Sequence, residues 1–371
     1  MPFPRKLRIL VAPLDWGLGH TTRCIPVIKA LLQHDAEVII AGNEVQEKVL
    51  TAEFPDCKFL FLGGYGVAYS NTRKGFVWKM MQQLPRISSA VQRENKWLQE
   101  VLIREPIDGV ISDNRFGLYT SQVPCVFITH QLRIQTGLGK LADDIAQQVN
   151  YRYMNRFNQV WVPDFHGPQN LAGVLSHPPS MPPTKVSYVG PLTRMAHRSP
   201  VNDAGNILFI FSGPEPQRSL FEQKVIAQLG GVKQQVTIVR GKPLQEDPPL
   251  IKNAIIYNHL PGNEMESLMR SAALIVCRSG YSSVMDINAL GQKSVLIPTP
   301  GQTEQEYLAN YLEQNKFAVK GSQGNFDLQD LLQKAAGFCY DGFINHDDWL
   351  LTKVVAGFLD NCREELIRKK N

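Results

Sequence analysis

Short runs of consecutive apolar residues recur along the chain. Between them lie stretches in which apolar residues return every three or four positions. In the first half the runs are Leu7–Ala12, Glu37–Ala41, Lys58–Leu62, Gly109–Ser112, Cys125–Thr129 and Gln159–Val162. A strand that is apolar on successive positions must be buried on both faces, as in a parallel sheet covered by helices. Residues 21–34 follow the other pattern and predict a helix with Val27, Ile28, Leu31 and Leu32 on one face. Residues 86–104 predict a long polar helix.

The rhythm breaks at residues 163–206, where prolines gather, Pro178-Pro179 and Pro182-Pro183 among them. Such a stretch reads as connection rather than core. The alternation then restarts, with strands expected at Asn206–Phe211, Gln235–Val239, Ala254–Tyr257, Leu274–Cys277 and Ser294–Ile297. A final helix is expected near 347–368, crossing back onto the first half. The pattern predicts an α/β protein of two doubly wound, Rossmann-like domains facing a central cleft. The domains are drawn at 1–192, joined by the C-terminal helix 347–371, and at 193–346. Ligands of such sheets bind beyond the C-terminal strand ends, so the turns after the strands would line the cleft.

Composition changes this picture little. The chain has 371 residues, which suits two domains rather than one. With 43% hydrophobic and 20% charged residues it is an ordinary globular composition. A net charge of +5 without long basic blocks argues against a nucleic-acid binder and suits a protein handling phosphates. The six cysteines are scattered with no CxxC pair, so neither a zinc site nor a disulfide framework is expected. No apolar leader or membrane-length run is seen, and a cytoplasmic location is expected.

Candidate chemistry lies at the strand ends. Gly17-Leu18-Gly19-His20 sits between the first strand and the first helix. Its glycines allow close approach of a ligand, and His20 at a helix start is suited to accept a proton. The same turn also reads as a plain tight connection. Asp113 in "VISDNRFG" and His130 in "VFITHQL" end two further strands. Asp113 is a second candidate base, or else a helix N-cap. His130 is either a structural residue or one that orients the acceptor or Asp113. In the second half, Arg278-Ser279-Gly280 turn from strand into helix, Asp286 follows on that helix, and Gln302, Glu304, Gln305 and Glu306 fill the loop after the next strand. A helix start for phosphate and a carboxylate for ribose hydroxyls together suit a sugar nucleotide.

These residues resemble glycosyltransferase family 28. The turn Arg278–Gly280, the acid eight residues beyond Arg278, the hairpin Gly291-Gln292-Lys293 and the Pro298…Gln305 loop match its C-terminal domain in order. The opening Gly17–His20 followed by Pro26 resembles its N-terminal glycine loop. The likeness covers roughly residues 8–35 and 205–320. It implies the GT-B architecture and an inverting, metal-independent transfer of a sugar from a UDP-sugar, UDP-N-acetylglucosamine in the family, to the hydroxyl of an unknown, in the family lipid-linked, acceptor. No cofactor is implied beyond the donor. By the resemblance Arg278, Ser279 and Gly280 lie near the donor, Asp286 takes the ribose, and Gln305 with Glu304 takes the donor sugar. Ser212 and Gly213 stand at the diphosphate loop, and Gly17 and Gly19 lie on the acceptor side with His20; apart from the resemblance, Arg218 is read as the charge that serves the second loop and His130 as a further acceptor-side candidate. The second loop carries Pro214 and Pro216 where the family has small residues, and Ala273 stands where the family has Asp. In the family, basic and apolar surface of the first domain docks on the inner membrane face, and the resemblance implies that role for Tyr65, Tyr69, Arg73, Lys74, Phe76, Trp78 and Lys79; the same stretch also reads as an irregular excursion between strand and helix with some buried aromatics. Two rival readings are a non-catalytic nucleotide-sugar-binding protein and a UDP-N-acetylglucosamine 2-epimerase.

Overall fold

The computed structural model describes residues 5–65, 73–195, 205–213, 215–244, 247–344 and 349–369, with the backbone alone for 73–87. Thirteen described strands form two fully parallel sheets. The first contains β1 (Arg8–Pro13), β2 (Glu37–Gly42), β3 (Lys58–Phe61), β4 (Gly109–Asp113), β5 (Cys125–Ile128), β6 (Gln159–Val162) and β7 (Lys185–Tyr188), in the order β3-β2-β1-β4-β5-β6-β7. The second contains β8 (Asn206–Ile210), β9 (Gln235–Val239), β10 (Ala254–Tyr257), β11 (Leu274–Cys277), β12 (Ser294–Leu296) and β13 (Val319–Lys320), in the order β10-β9-β8-β11-β12-β13. In each sheet the order reverses beside the first strand, at β1/β4 and at β8/β11. Those are the crevices where a doubly wound sheet binds ligands.

The continuous apolar runs are strands because both of their faces are covered. Ile9, Leu10 and Val11 of β1, for example, are all fully buried. Each such side chain contributes roughly 1.5–3 kcal/mol by leaving water. Helix α1 (Leu18–Gln33) buries Val27, Ile28 and Leu31, whereas Leu32, expected on the same face, turns partly to solvent. Helix α2 (Glu44–Glu53) opens on an Asn43/Gln46 capping box.

Three expectations need correction. Residues 163–206 are not all connection, because β7 lies among them and closes the first sheet. The long polar helix starts upstream of residue 86, as α3 (Arg73–Arg104). A sixth strand, β13, extends the second sheet.

The remaining helices are α4 (Lys140–Met154), α5 (Gln217–Ile226), α6 (Gly262–Ser271), α7 (Tyr281–Leu290), α8 (Thr303–Gln314), α9 (Leu328–Gly337) and α10 (Trp349–Arg368). α10 returns to the first sheet. Phe358 meets Trp161 edge to face at 5.8 Å. Phe358 and Cys362 also crowd Gly109, where an added Cβ would lie 2.7 and 2.8 Å from them. On the way the chain is pinned to α7 of the second domain: Asn288 Nδ2 donates to the Ile344 carbonyl and Ile344 N–H donates to Asn288 Oδ1, both at 2.9 Å. No helix among the described residues is long and apolar enough to cross a membrane.

Candidate active site

The C-terminal strand ends of both sheets open onto one cavity of about 1510 Å³. Its first-sheet wall is built from the start of α1. Gly17, with φ +86°, caps that helix, a backbone angle that suits glycine. His20 follows within the first turn and lines the cavity. One turn further, Arg23 lies beneath it, because residues three apart share a helix face. β4 runs beside β1, with Pro13 opposite Asp113, so Asp113 arrives under the same helix start.

These three residues form one buried unit. His20 Nδ1 lies 3.1 Å from Asp113 Oδ2. Arg23 Nε donates to both carboxylate oxygens, at 2.9 and 2.8 Å, and its Nη2 donates again to Oδ1. Burial alone would raise the Asp113 pKa, but Arg23 and His20 outweigh it and hold the carboxyl at about 2. Burial, and then the charge of Arg23, lower the pKa of His20. The neutral ring is therefore the form at neutral pH. A carboxylate only accepts, so Nδ1 carries the hydrogen and Nε2 keeps its lone pair. Asp113 is fully buried and does not line the cavity: its carboxylate faces His20 and Arg23, and it caps no helix among the described residues.

The second-sheet wall shows which motif residues face the cavity. Ser212, Gly213, Gly280, Asp286, Glu304 and Gln305 line it. Arg278 and Ser279 do not. The Arg278 guanidinium is buried over the Phe221 ring at 4.5 Å and donates to the Gln217 carbonyl at 2.8 Å. Burial pushes its pKa down to about 9. Ser279 Oγ donates to the Gln305 carbonyl at 2.8 Å. Both residues brace the turn, and the cavity is left with Gly280 at the start of α7, where helix N–H groups await an acceptor.

Arg218 reaches the cavity, but its charge is matched by Glu215, and it donates to the Arg240 carbonyl at 2.8 Å. Lys242 was missed in the sequence. It lines the cavity after β9, and among the described residues it makes no ion pair. Gly241 beside it has φ +67°, and an added Cβ would lie 2.4 Å from the Phe211 carbonyl oxygen. A Gly-Lys pair one residue beyond a strand end was the signal. Pro214 lies outside the described residues.

Asp286 accepts from Thr193 Oγ1 at 2.6 Å. Burial raises its pKa to about 6 against the opposing effects of Thr193 and Arg194. Gln305 Oε1 accepts from Thr299 N–H at 2.8 Å and folds its loop. Glu304 crosses the cleft. Its Oε1 meets His130 Nε2 at 2.7 Å, and Gln131 donates to its Oε2. His130 therefore pairs with Glu304, not with Asp113, and its ring stacks on Tyr281 at 4.1 Å. Ser282 Oγ also crosses, donating to the Gly19 carbonyl at 3.0 Å.

The outer wall of the cavity is α4. Its body-facing side is largely polar until Met154 enters the core: Gln147 accepts from Arg133 at 2.7 Å, and Tyr151 donates to the Ser180 carbonyl at 2.6 Å. Its cavity side carries Ala142, Ile145, Ala146, Val149 and Tyr153. Ile145 and Val149 are 57% and 51% exposed, and Leu138 and Leu141 continue the stripe at 57% and 76%. Of the aromatic and basic residues expected at a membrane, Tyr65 is instead buried, donating to Glu94 at 2.6 Å. Tyr69 and the side chains of Arg73, Lys74, Phe76, Trp78 and Lys79 lie outside the described residues.

Residues 207–336 match the glycosyltransferase family 28 C-terminal domain. Among curated relatives, the UDP-N-acetylglucosamine–N-acetylmuramyl-(pentapeptide) pyrophosphoryl-undecaprenol N-acetylglucosamine transferase of Desulforudis audaxviator is 34% identical over 106 residues. That match covers 26% of this chain and 28% of the relative. An uncharacterized glycosyltransferase of Methanosarcina acetivorans is 22% identical over 340 residues, 83% of this chain and 81% of the other. The solved glycosyltransferase of kitacinnamycin superposes with a TM-score of 0.61 at 13% identity, covering 98% of this chain and 96% of that one. The fold is GT-B, and the second domain carries the family 28 likeness read from the Arg278–Gln305 motif.

Proposed function

We propose that this protein is an inverting glycosyltransferase. It moves a sugar from a UDP-sugar, with UDP-N-acetylglucosamine the first donor to test, onto the hydroxyl of an acceptor with an extended apolar part. The observation that carries this reading is His20, a neutral histidine with Nδ1 on a buried carboxylate and Nε2 free to take a proton in the cleft. The acceptor hydroxyl gives its proton to Nε2 as its oxygen attacks the anomeric carbon from the face opposite the leaving group. The imidazolium that forms is stabilised by Asp113. The diphosphate leaves with the bonding electrons. Its charge is met by the start of α7, by Ser212-Gly213 and by Lys242, groups in place before the reaction begins. Asp286 takes ribose hydroxyls, and Gln305 stands beside the donor sugar.

The donor assignment is supported by the family 28 match over the second domain and by the relative's printed substrate. The apolar acceptor is supported by α4, whose aliphatic stripe faces the cavity rather than the core. No divalent cation is needed in this scheme.

The test is UDP release in EDTA from UDP-N-acetylglucosamine with a pyrophosphoryl-polyprenol-linked sugar as acceptor. His20→Ala is expected to lose about 10²–10⁴-fold in kcat with donor binding retained. Undiminished turnover in that variant overturns the reading. Turnover without any acceptor would mark an epimerase. Tight UDP binding with no turnover on any donor would mark a sensor.

A further inference from the structure

The base assigned above depends on a carboxyl that ought not to be ionised where it sits. Asp113 is fully buried, at the end of β4. Besides Arg23, the hydrogen-bond partners of its carboxylate among the described residues are the His20 ring and the Cys24 thiol, the latter at 3.8 Å. A buried carboxyl with only neutral partners takes up a proton, because burial penalises the charged form. Protonated Asp113 would offer its own O–H to His20 Nδ1. The hydrogen on the ring would then move to Nε2, and the cleft would face a donor where a base is required.

We propose that Arg23 is a positioning residue that keeps this pair in its working form: its guanidinium forks Asp113, makes that carboxyl an acceptor only, and so fixes the His20 lone pair toward the cleft. The proposal rests on His20 as the base. The geometry fits the role. Arg23 is 2% exposed, and Nε and Nη2 both point at Asp113. It lies three residues from His20 on α1, so the helix that presents the base also presents the cation that orients it. The charged and titratable groups facing His20 are Arg23 on its own helix, Asp113 at the end of β4, His130 after β5 and Glu304 on α8. The last two are paired with each other across the cleft. Arg23 is thus the cation bonded directly to the dyad.

Removing a buried positive charge raises the proton affinity of the pair. The test follows the His20 ring through a pH titration by NMR, its signal assigned by its loss in His20→Ala. In Arg23→Gln the midpoint is expected about one pH unit above the wild type. In Arg23→Lys, which keeps the charge but loses the fork, it is expected within a few tenths. A wild-type midpoint in Arg23→Gln overturns the proposal, and so does an equal rise in both variants, which would mean packing rather than charge. If Arg23→Gln gives no cooperative melt, Arg23→Lys decides alone: a midpoint near the wild type supports the proposal, and a rise of about one unit overturns it. The readout needs no acceptor. If His20→Ala leaves UDP release intact while the titrations behave as stated, the base assignment falls and the electrostatic role of Arg23 stands.

Discussion

At the scale of single residues, the ribose role proposed for Asp286 ties burial to donor binding. Its carboxyl is raised from 3.8 to about 6 by burial, with one oxygen already accepting from Thr193. A ribose hydroxyl donates best to the ionised form. The Michaelis constant for the donor should therefore rise as pH falls through about 6, and Asp286→Asn should bind donor weakly at every pH with that dependence gone. A donor KM profile that is the same in wild type and Asp286→Asn removes Asp286 from the ribose site. The sign for stability runs the other way. Between pH 4 and 6 the folded state holds a proton that the unfolded chain has released, so this group's contribution falls as pH rises through that window. Arg278 shows the limit of reading single residues from a motif. The sequence placed it on the correct turn, but a turn does not say which way a long side chain leaves it. Here the guanidinium packs over Phe221 and holds main-chain carbonyls, so only the backbone of that turn faces the cleft.

At the scale of elements, the strands were legible wherever both faces are buried, because continuous Val/Ile/Leu runs have few other uses. β7 escaped because Lys185–Tyr188 is a partly exposed edge strand in a proline-rich setting. β13 is two residues long, too short for any period. α4 carried a helical pattern whose meaning could not be read from the chain. An aliphatic stripe ordinarily marks the core side, and here the core side is the one with Gln147, Asn150, Tyr151 and, at its end, Met154. The stripe from Ala142 to Tyr153 is roughly 16 Å long at 1.5 Å per residue, long enough for several isoprene or acyl units. Covering one such side chain gains roughly 1.5–3 kcal/mol. Ile145→Glu should therefore leave the melting temperature and the donor KM unchanged, since the residue is half exposed. It should raise the KM for a long-chain polyprenyl acceptor by about tenfold, while a short-chain analogue is little affected. Equal effects on both acceptors would detach α4 from acceptor binding.

At the scale of the whole molecule, the two domains meet across the cleft through contacts that no local pattern announces. His130 and Glu304 are 174 residues apart, and Gly19 and Ser282 are 263 apart. His130, Glu304 and Gly19 sit in motifs that were noticed for another reason, and Ser282 lies two residues past the Arg278–Gly280 turn. The glycine at position 19 is explained by this meeting. Its backbone is ordinary helix, so it is not there for a positive φ. Its missing Cβ is what counts, because a methyl there would lie 2.8 Å from Ser282 Oγ and 3.2 Å from Ser282 Cβ. Gly19→Ala should leave the first domain as stable as before or slightly more so, since alanine favours a helix by up to about 1 kcal/mol over glycine. The cost should fall on closure. In the proposed mechanism closure would bring the donor on the second domain against His20 and exclude water, so an obstructed cleft should show as slower turnover, about tenfold, with an unchanged melt. Ser282→Gly removes the opposing atoms at the loss of one hydrogen bond. By itself it should slow turnover modestly. Combined with Gly19→Ala it should restore most of the lost rate, giving a coupling that two independent defects would not show. Small-angle scattering with UDP bound gives a second reading, with Gly19→Ala more open than the wild type and the double variant closed again. Additive losses in the double variant, or a Gly19→Ala enzyme as fast as the wild type, would mean that the space at Gly19 serves a ligand rather than the meeting of the domains.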